Sequence, residues 1–226
     1  MGELTLAERV HGSVALRRHQ RIARSLVRAL ASVEVTGLAS LPPDGPTLLA
    51  VNHRSMVDGP VIFGFIHRPV TCLVKAEAFT PGVGRVLRAA GQVPVIREVL
   101  DPAPIRLCLQ VLRAGGVVGI FPEGTRGDGF VRTAKPGVGY FALRSGATVV
   151  PVACWGTAEA ARRPRRAPIH VIIGSPLYFD RYPDAKPLNR RITAAATERI
   201  RRAMTELVAD TRPMEFRRKL ADRQAV

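Results

Sequence analysis

The stretch Asn52-His53-Arg54-Ser55-Met56-Val57-Asp58 sets an imidazole and a carboxylate with four residues between them. Imidazole exchanges a proton near neutral pH, so histidine is the usual general base. A carboxylate bonded to the far ring nitrogen fixes the tautomer and stabilises the imidazolium. On a regular helix this separation would splay the two side chains apart, so the pairing needs a turn that enters a helix. The spacing alone is weak, because a histidine held by a structural bond explains it more often. No Gly-x-Ser-x-Gly elbow occurs, and Ser55 has no such glycine frame. Without a covalent nucleophile, a His/Asp pair can activate a hydroxyl of the substrate itself. The chemistry is then direct acyl or phosphoryl transfer.

Other reactive side chains follow short apolar runs in the same way. Lys75-Ala76-Glu77 follows Val70–Val74, Arg97 follows Val93–Ile96, and Pro122-Glu123-Gly124-Thr125-Arg126 follows Val117–Phe121, as His53 follows Thr47–Val51. Runs of four to eight apolar residues bounded by Gly and Pro read as buried strands. Val33–Val35, Thr148–Cys154 and Ile169–Ile173 bring the number to about seven. Helical patterns intervene at Asp58–Ile66, Val83–Ala90, Pro104–Ala114 and Gly137–Ser145, and a last helix is expected near Pro187–Asp210. Strands alternating with helices predict an α/β domain with a largely parallel or mixed sheet flanked by helices. Ligands of such sheets collect at the carboxyl ends of the strands. If the four strands that end in these residues are neighbours, a His/Asp pair, a Lys, two Arg and a Glu converge on one edge.

Before the sheet, Glu3 to Ser32 reads as an amphipathic helix. Leu4, Ala7, Val10, Val14, Ile22, Leu26 and Leu30 recur at near-helical spacing among six arginines, Arg9, Arg17, Arg18, Arg21, Arg24 and Arg28. Such a helix can rest in a bilayer interface with its arginines on lipid phosphates, or pack on the main domain with the arginines in water. The organisation expected is residues 1–32 as this helix, 33–210 as the α/β domain and 211–226 as a basic tail. The run Arg162-Arg163-Pro164-Arg165-Arg166 fits either a solvated loop or a contact with headgroups or an acidic protein.

Composition narrows the partners. The chain has 226 residues, 46% hydrophobic and 23% charged, values of a folded globular protein. Lys+Arg exceed Asp+Glu by 34 to 18, a net charge of +16. That excess implies anionic partners: phosphate groups, a membrane surface, an acidic protein or nucleic acid. Aromatics are 5% and no nucleic-acid-binding motif appears, so specific nucleic-acid recognition is not expected. Cys72, Cys108 and Cys154 are an odd, scattered set in apolar runs, which predicts buried free thiols in a reducing compartment and no disulfide framework. The histidines lack ligand spacing, so no metal is expected. Gly137-Val138-Gly139-Tyr140-Phe141-Ala142 satisfies a relaxed dinucleotide pattern, but a loop and not a strand precedes it. A spanning helix needs about 20 apolar residues; no such helix is expected, and the basic residues spread through Met1 to Leu30 do not predict a signal peptide.

The blocks together resemble the glycerolipid acyltransferases. Asn52-His53-Arg54-Ser55-x-x-Asp58 resembles their N-H-x-S-x-x-D block, and Phe121 to Arg126 their F-P-E-G-T-R block. Gly91 to Arg97 resembles the block between, Val150-Pro151-Val152 the fourth, and Lys75-Ala76-Glu77 and Lys135-Pro136-Gly137 two shorter matches. All occur in family order between about Val33 and Thr157, most similar to the 1-acylglycerol-3-phosphate (lysophosphatidic acid) acyltransferases. The chain departs at Ile96, where many members carry Asp before the arginine.

The resemblance implies a glycerol-3-phosphate acyltransferase-like fold and a role for each matching residue. His53 would be the base that deprotonates the sn-2 hydroxyl, and Asp58 would orient it. Arg126, with Arg97 and Lys75, would hold the acceptor phosphate. Glu123, Gly124 and Thr125 would shape the glycerol site, Glu123 by accepting a hydroxyl or bracing an arginine. No cofactor or metal is implied, only lysophospholipid and an acyl thioester, either acyl-CoA or acyl carrier protein. The implied place is cytoplasmic, peripheral on the anionic inner face of the cell membrane, without a transmembrane helix. Acyltransfer to glycerol-3-phosphate, another lysolipid or a glycolipid stays open as an alternative. Non-specific nucleic-acid binding is a weaker one, resting on charge alone.

Overall fold

A computed structural model describes residues 14–96, 101–165 and 167–212. Seven strands form one sheet in the order β1-β7-β6-β2-β5-β3-β4. They are β1 (Val33–Thr36), β2 (Thr47–Val51), β3 (Val70–Lys75), β4 (Val93–Val95), β5 (Val117–Ile120), β6 (Thr148–Trp155) and β7 (Ile169–Ile173). Every pairing is parallel except β6 with β7, which is antiparallel. The sheet is thus mixed, and the expected α/β architecture is what forms. Each apolar run lies in a strand, because central strands covered on both faces select uninterrupted apolar residues. All five residues of β2 are buried.

The helices are α1 (Val14–Leu30), α2 (Asp58–Phe65), α3 (Val83–Ala89), α4 (Ala103–Arg113), α5 (Gly137–Ser145), α6 (Thr157–Arg162) and α7 (Arg190–Asp210). Alternation along β2 separates two cores. Leu48 and Ala50 face the helices α4, α5 and α7 through Leu112, Phe141 and Met204. Leu49 and Val51 face α1 and α2 through Val27, Val61 and Ile62. The second glycine of the dinucleotide-like pattern has a packing reason. A Cβ at Gly139 would lie 2.6 Å from the Thr193 carbonyl, so α5 and α7 touch backbone to backbone there.

Helix α1 docks differently from the pattern its apolar residues predict. Its buried side chains are Leu16, Gln20 and Val27, whereas Ile22, Leu26 and Leu30 are exposed. Gln20 Nε2 donates to the carbonyls of Phe63, Ile66 and Arg68, which satisfies the open carboxyl end of α2. Arg24 Nε donates to the Gly64 carbonyl at 2.8 Å. A Cβ on Gly64 would sit 3.0 Å from the Arg24 nitrogen, so the glycine lets the two helices close. Residues 1–13, most of the 211–226 tail, Arg97 and Arg166 lie outside the described residues. Among the described residues, no helix is long and apolar enough to cross a membrane.

Candidate active site

The sheet order makes β2, β5, β3 and β4 neighbours, so their carboxyl ends share one edge. At the end of β2 the chain turns through Arg54 to Val57 and enters α2 at Asp58. His53 Nδ1 and Asp58 Oδ2 are 2.8 Å apart. The same oxygen accepts the backbone N–H groups of Arg54 and Ser55, each at 2.7 Å. Three donors on one buried oxygen mark a charge-assisted acceptor. The turn that the spacing demands is therefore built around the carboxylate that uses it. With Nδ1 committed to Asp58, Nε2 is the nitrogen left to meet a substrate, and the His53 side chain keeps 17% of its surface exposed while Asp58 has none.

The end of β5 closes on His53 from the other side. Phe121 stacks on the imidazole with centroids 4.3 Å apart. The His53 N–H donates to Glu123 Oε1 at 2.8 Å, and the Gly127 N–H donates to the His53 carbonyl at 2.9 Å. Burial pushes the Glu123 carboxyl above the ordinary glutamate range, against the lowering effect of the His53 amide. Gly124 turns the loop in left-handed backbone (φ 73°), and the Lys135 stem lies over it, where a Cβ would meet Cε at 2.7 Å. Thr125 and Arg126 are exposed beside Gly127, and Lys75 is exposed at the last position of β3. Thus His53, Asp58 and Glu123 are bonded together, and Arg126 and Lys75 present their cations to solvent at the same edge. Arg97 lies outside the described residues. The bond to the His53 amide gives Glu123 Oε1 a backbone partner that the spacing did not disclose.

Several supporting contacts have no signal in the linear pattern. Asn52, fully buried, donates to the carbonyls of Gly129 and Cys154 and accepts the Cys154 N–H at 2.7 Å. Its side chain extends the β2–β6 pairing one step past the last strand residue. The Arg54 guanidinium meets both carboxylate oxygens of Glu159 at 3.3 Å and lies 5.1 Å over the Trp155 ring. Glu159 belongs to α6, six residues long and too short for periodicity to reveal. The arginine run begins at the end of α6. Arg165 donates from its backbone N–H to the Leu30 carbonyl and from Nε to the Ala29 carbonyl, so it closes the carboxyl end of α1.

Among the described residues no cluster of His, Cys, Asp and Glu has the form of a metal site. The three cysteines are buried and unpaired. Burial pushes the thiols of Cys72 and Cys108 up to about 12, and that of Cys154 well up.

Comparison with known proteins agrees with the geometry. Residues 32–155 match the family described as Acyltransferase. The 1-acyl-sn-glycerol-3-phosphate acyltransferase of Bacillus subtilis (strain 168) is 30% identical over 180 residues, which are 77% of this chain and 87% of that protein. The chloroplastic 1-acyl-sn-glycerol-3-phosphate acyltransferase LPAT1 of Arabidopsis thaliana is 31% identical over 134 residues, 56% of this chain but only 37% of that longer protein. The crystal structure of the 1-acyl-sn-glycerophosphate acyltransferase PlsC from Thermotoga maritima shares the fold. Its TM-score is 0.61 at 24% identity, over 85% of this chain and 79% of that one.

Proposed function

This chain belongs to the acyltransferase family, and on that premise we propose that it acylates the sn-2 hydroxyl of 1-acylglycerol-3-phosphate. The observation that carries the reading is the His53–Asp58 pair, 2.8 Å apart at the sheet edge that also presents Arg126 and Lys75. Asp58 holds the proton of Nδ1, so the lone pair of His53 Nε2 faces the hydroxyl. As that oxygen bonds to the thioester carbonyl carbon, its proton passes to Nε2. The tetrahedral intermediate then expels the thiolate, which takes the proton back from His53. No acyl-enzyme is formed. Arg126 and Lys75 hold the acceptor's phosphate by charge-assisted bonds, and Arg97 is assigned to the same task.

The donor is a fatty acyl thioester, carried by CoA or by acyl carrier protein, and the acceptor's acyl chain keeps it in a lipid surface. The outer side of α1 fits such a surface. Ile22, Leu26 and Leu30 recur every four residues and are exposed, with Arg17, Arg18, Arg21 and Arg28 exposed on the adjoining face. Exposed Val83 and Val86 of α3 lie on the same side of the sheet, since Ala90 just beyond α3 packs with Leu16 of α1 and Phe63 of α2. Apolar side chains flanked by arginines favour an anionic bilayer.

The test is product analysis. Purified protein incubated with lysophosphatidic acid and either acyl-CoA or acyl carrier protein thioester should yield phosphatidic acid. His53→Ala should abolish transfer while the circular dichroism and unfolding midpoint stay unchanged. Turnover retained by that variant defeats the assignment. Glycerol-3-phosphate and uncharged lysolipids run in parallel define the acceptor.

A further inference from the structure

A residue that helps to place His53 lies in the loop after β5. After Val51 the Asn52 N–H still bonds to the Val152 carbonyl of β6, so the next N–H, that of His53, turns toward β5. There the backbone has already left the ladder, because β5 ends at Ile120 and Pro122 follows within two residues. A buried N–H without an acceptor is costly. Glu123 Oε1 supplies the missing acceptor at 2.8 Å.

We propose that Glu123 is a positioning residue, which fixes the backbone of His53 and hence the reach of its imidazole, rather than a ligand of the acceptor. The inference rests on the reading of His53 as the base of acyl transfer. Three contacts from one loop support it. Glu123 takes the His53 N–H, Gly127 gives its N–H to the His53 carbonyl, and Phe121 covers the ring face. Asp58 sets the ring's direction, and the loop after β5 sets where the ring stands. The carboxyl is half-buried, and its raised affinity for protons is the cost of holding a charged group there. A glutamine keeps an oxygen at the same place and can still accept the amide. An alanine cannot.

Two measurements on the full chain decide the matter. The first is steady-state transfer from acyl-CoA to lysophosphatidic acid. Glu123→Ala should lower kcat by roughly 10²-fold, the scale of a misplaced catalytic group, with the acceptor KM within twofold. Glu123→Gln should recover at least tenfold of that loss. A rise of tenfold or more in acceptor KM for Glu123→Gln, at unchanged kcat, overturns the proposal and makes Glu123 a ligand. The second is amide hydrogen exchange without substrate, which needs no activity and no foldable alanine variant. The His53 amide should be protected in the wild type and in Glu123→Gln; fast exchange in the folded wild type overturns the proposal. If the wild type transfers no acyl group while the His53 amide is protected, the functional reading fails and the clamp stands.

Discussion

The turn after β2 and helix α1 are both fastened by buried polar bonds, yet the two are committed to very different degrees. In the turn, one carboxylate oxygen collects three hydrogens, and the neighbouring backbone is gripped again by Glu123, Gly127 and the Arg54–Glu159 pair. Helix α1 is held by Gln20 and Arg24 on the carbonyls of α2, and it leaves three large apolar side chains in water. Where a ring must stand within tenths of an ångström, the bonds are redundant and directional. In α1 one face is tied down and another is left exposed, as the proposed contact with a lipid surface would require.

That contrast can be broken from either side. The largest effect belongs to Asp58→Asn, which puts an amide N–H₂ among three donors or forces the wrong imidazole tautomer. We expect kcat to fall by roughly 10⁴-fold, in an initial-rate assay at saturating acceptor. Next comes Asn52→Ala, which strips two bonds from the β2–β6 junction and one to the Gly129 carbonyl, and removes the acceptor of the buried Cys154 N–H. Denaturant unfolding should show a loss of about 3 kcal/mol. Helix α1 should answer in the opposite way. Leu26→Glu should leave the unfolding midpoint alone, yet lower binding to anionic vesicles by about tenfold or more, since seating a leucine contributes about 1.5–3 kcal/mol. Equal binding of the wild type to neutral and anionic vesicles would remove the arginines from that account.

The smallest effect sharpens the comparison through pH. The folded state raises the proton affinity of Glu123, so the stability this group contributes is full below the ordinary glutamate range. It is lost as pH rises through that range and up to the raised folded value. Glu123→Gln does not titrate. Its unfolding midpoint should therefore gain on the wild type as pH rises from about 4 toward neutrality, with the difference levelling off above the folded value.

How much of this is legible in the linear sequence depends on how local the cause is. All seven strands can be read, because doubly covered strands need unbroken apolar runs and Gly and Pro end them. The His53–Asp58 pair can also be read, since its geometry is closed within one turn. The clasps Asn52–Cys154, Arg54–Glu159 and Glu123–His53 span 70 to 105 residues. They depend on β2 lying between β6 and β5, which no spacing along the chain discloses. Helix α1 shows the converse difficulty. Its apolar periodicity is real, but Ile22, Leu26 and Leu30 are not the residues that meet the domain. A polar residue, Gln20, is buried instead because the carboxyl end of α2 offers it three carbonyls. Periodicity reports that a helix has an oily side, not what that side touches.

The three cysteines carry a practical consequence. Burial pushes the thiols of Cys72 and Cys108 up to about 12 and that of Cys154 well up, so all three are expected to resist maleimides at neutral pH. The wild-type chain is therefore a silent background for site-directed labelling. A single cysteine introduced at Ser25, exposed on α1, would carry an environment-sensitive fluorophore without any prior engineering, and its emission would report whether the helix leaves water when vesicles are added.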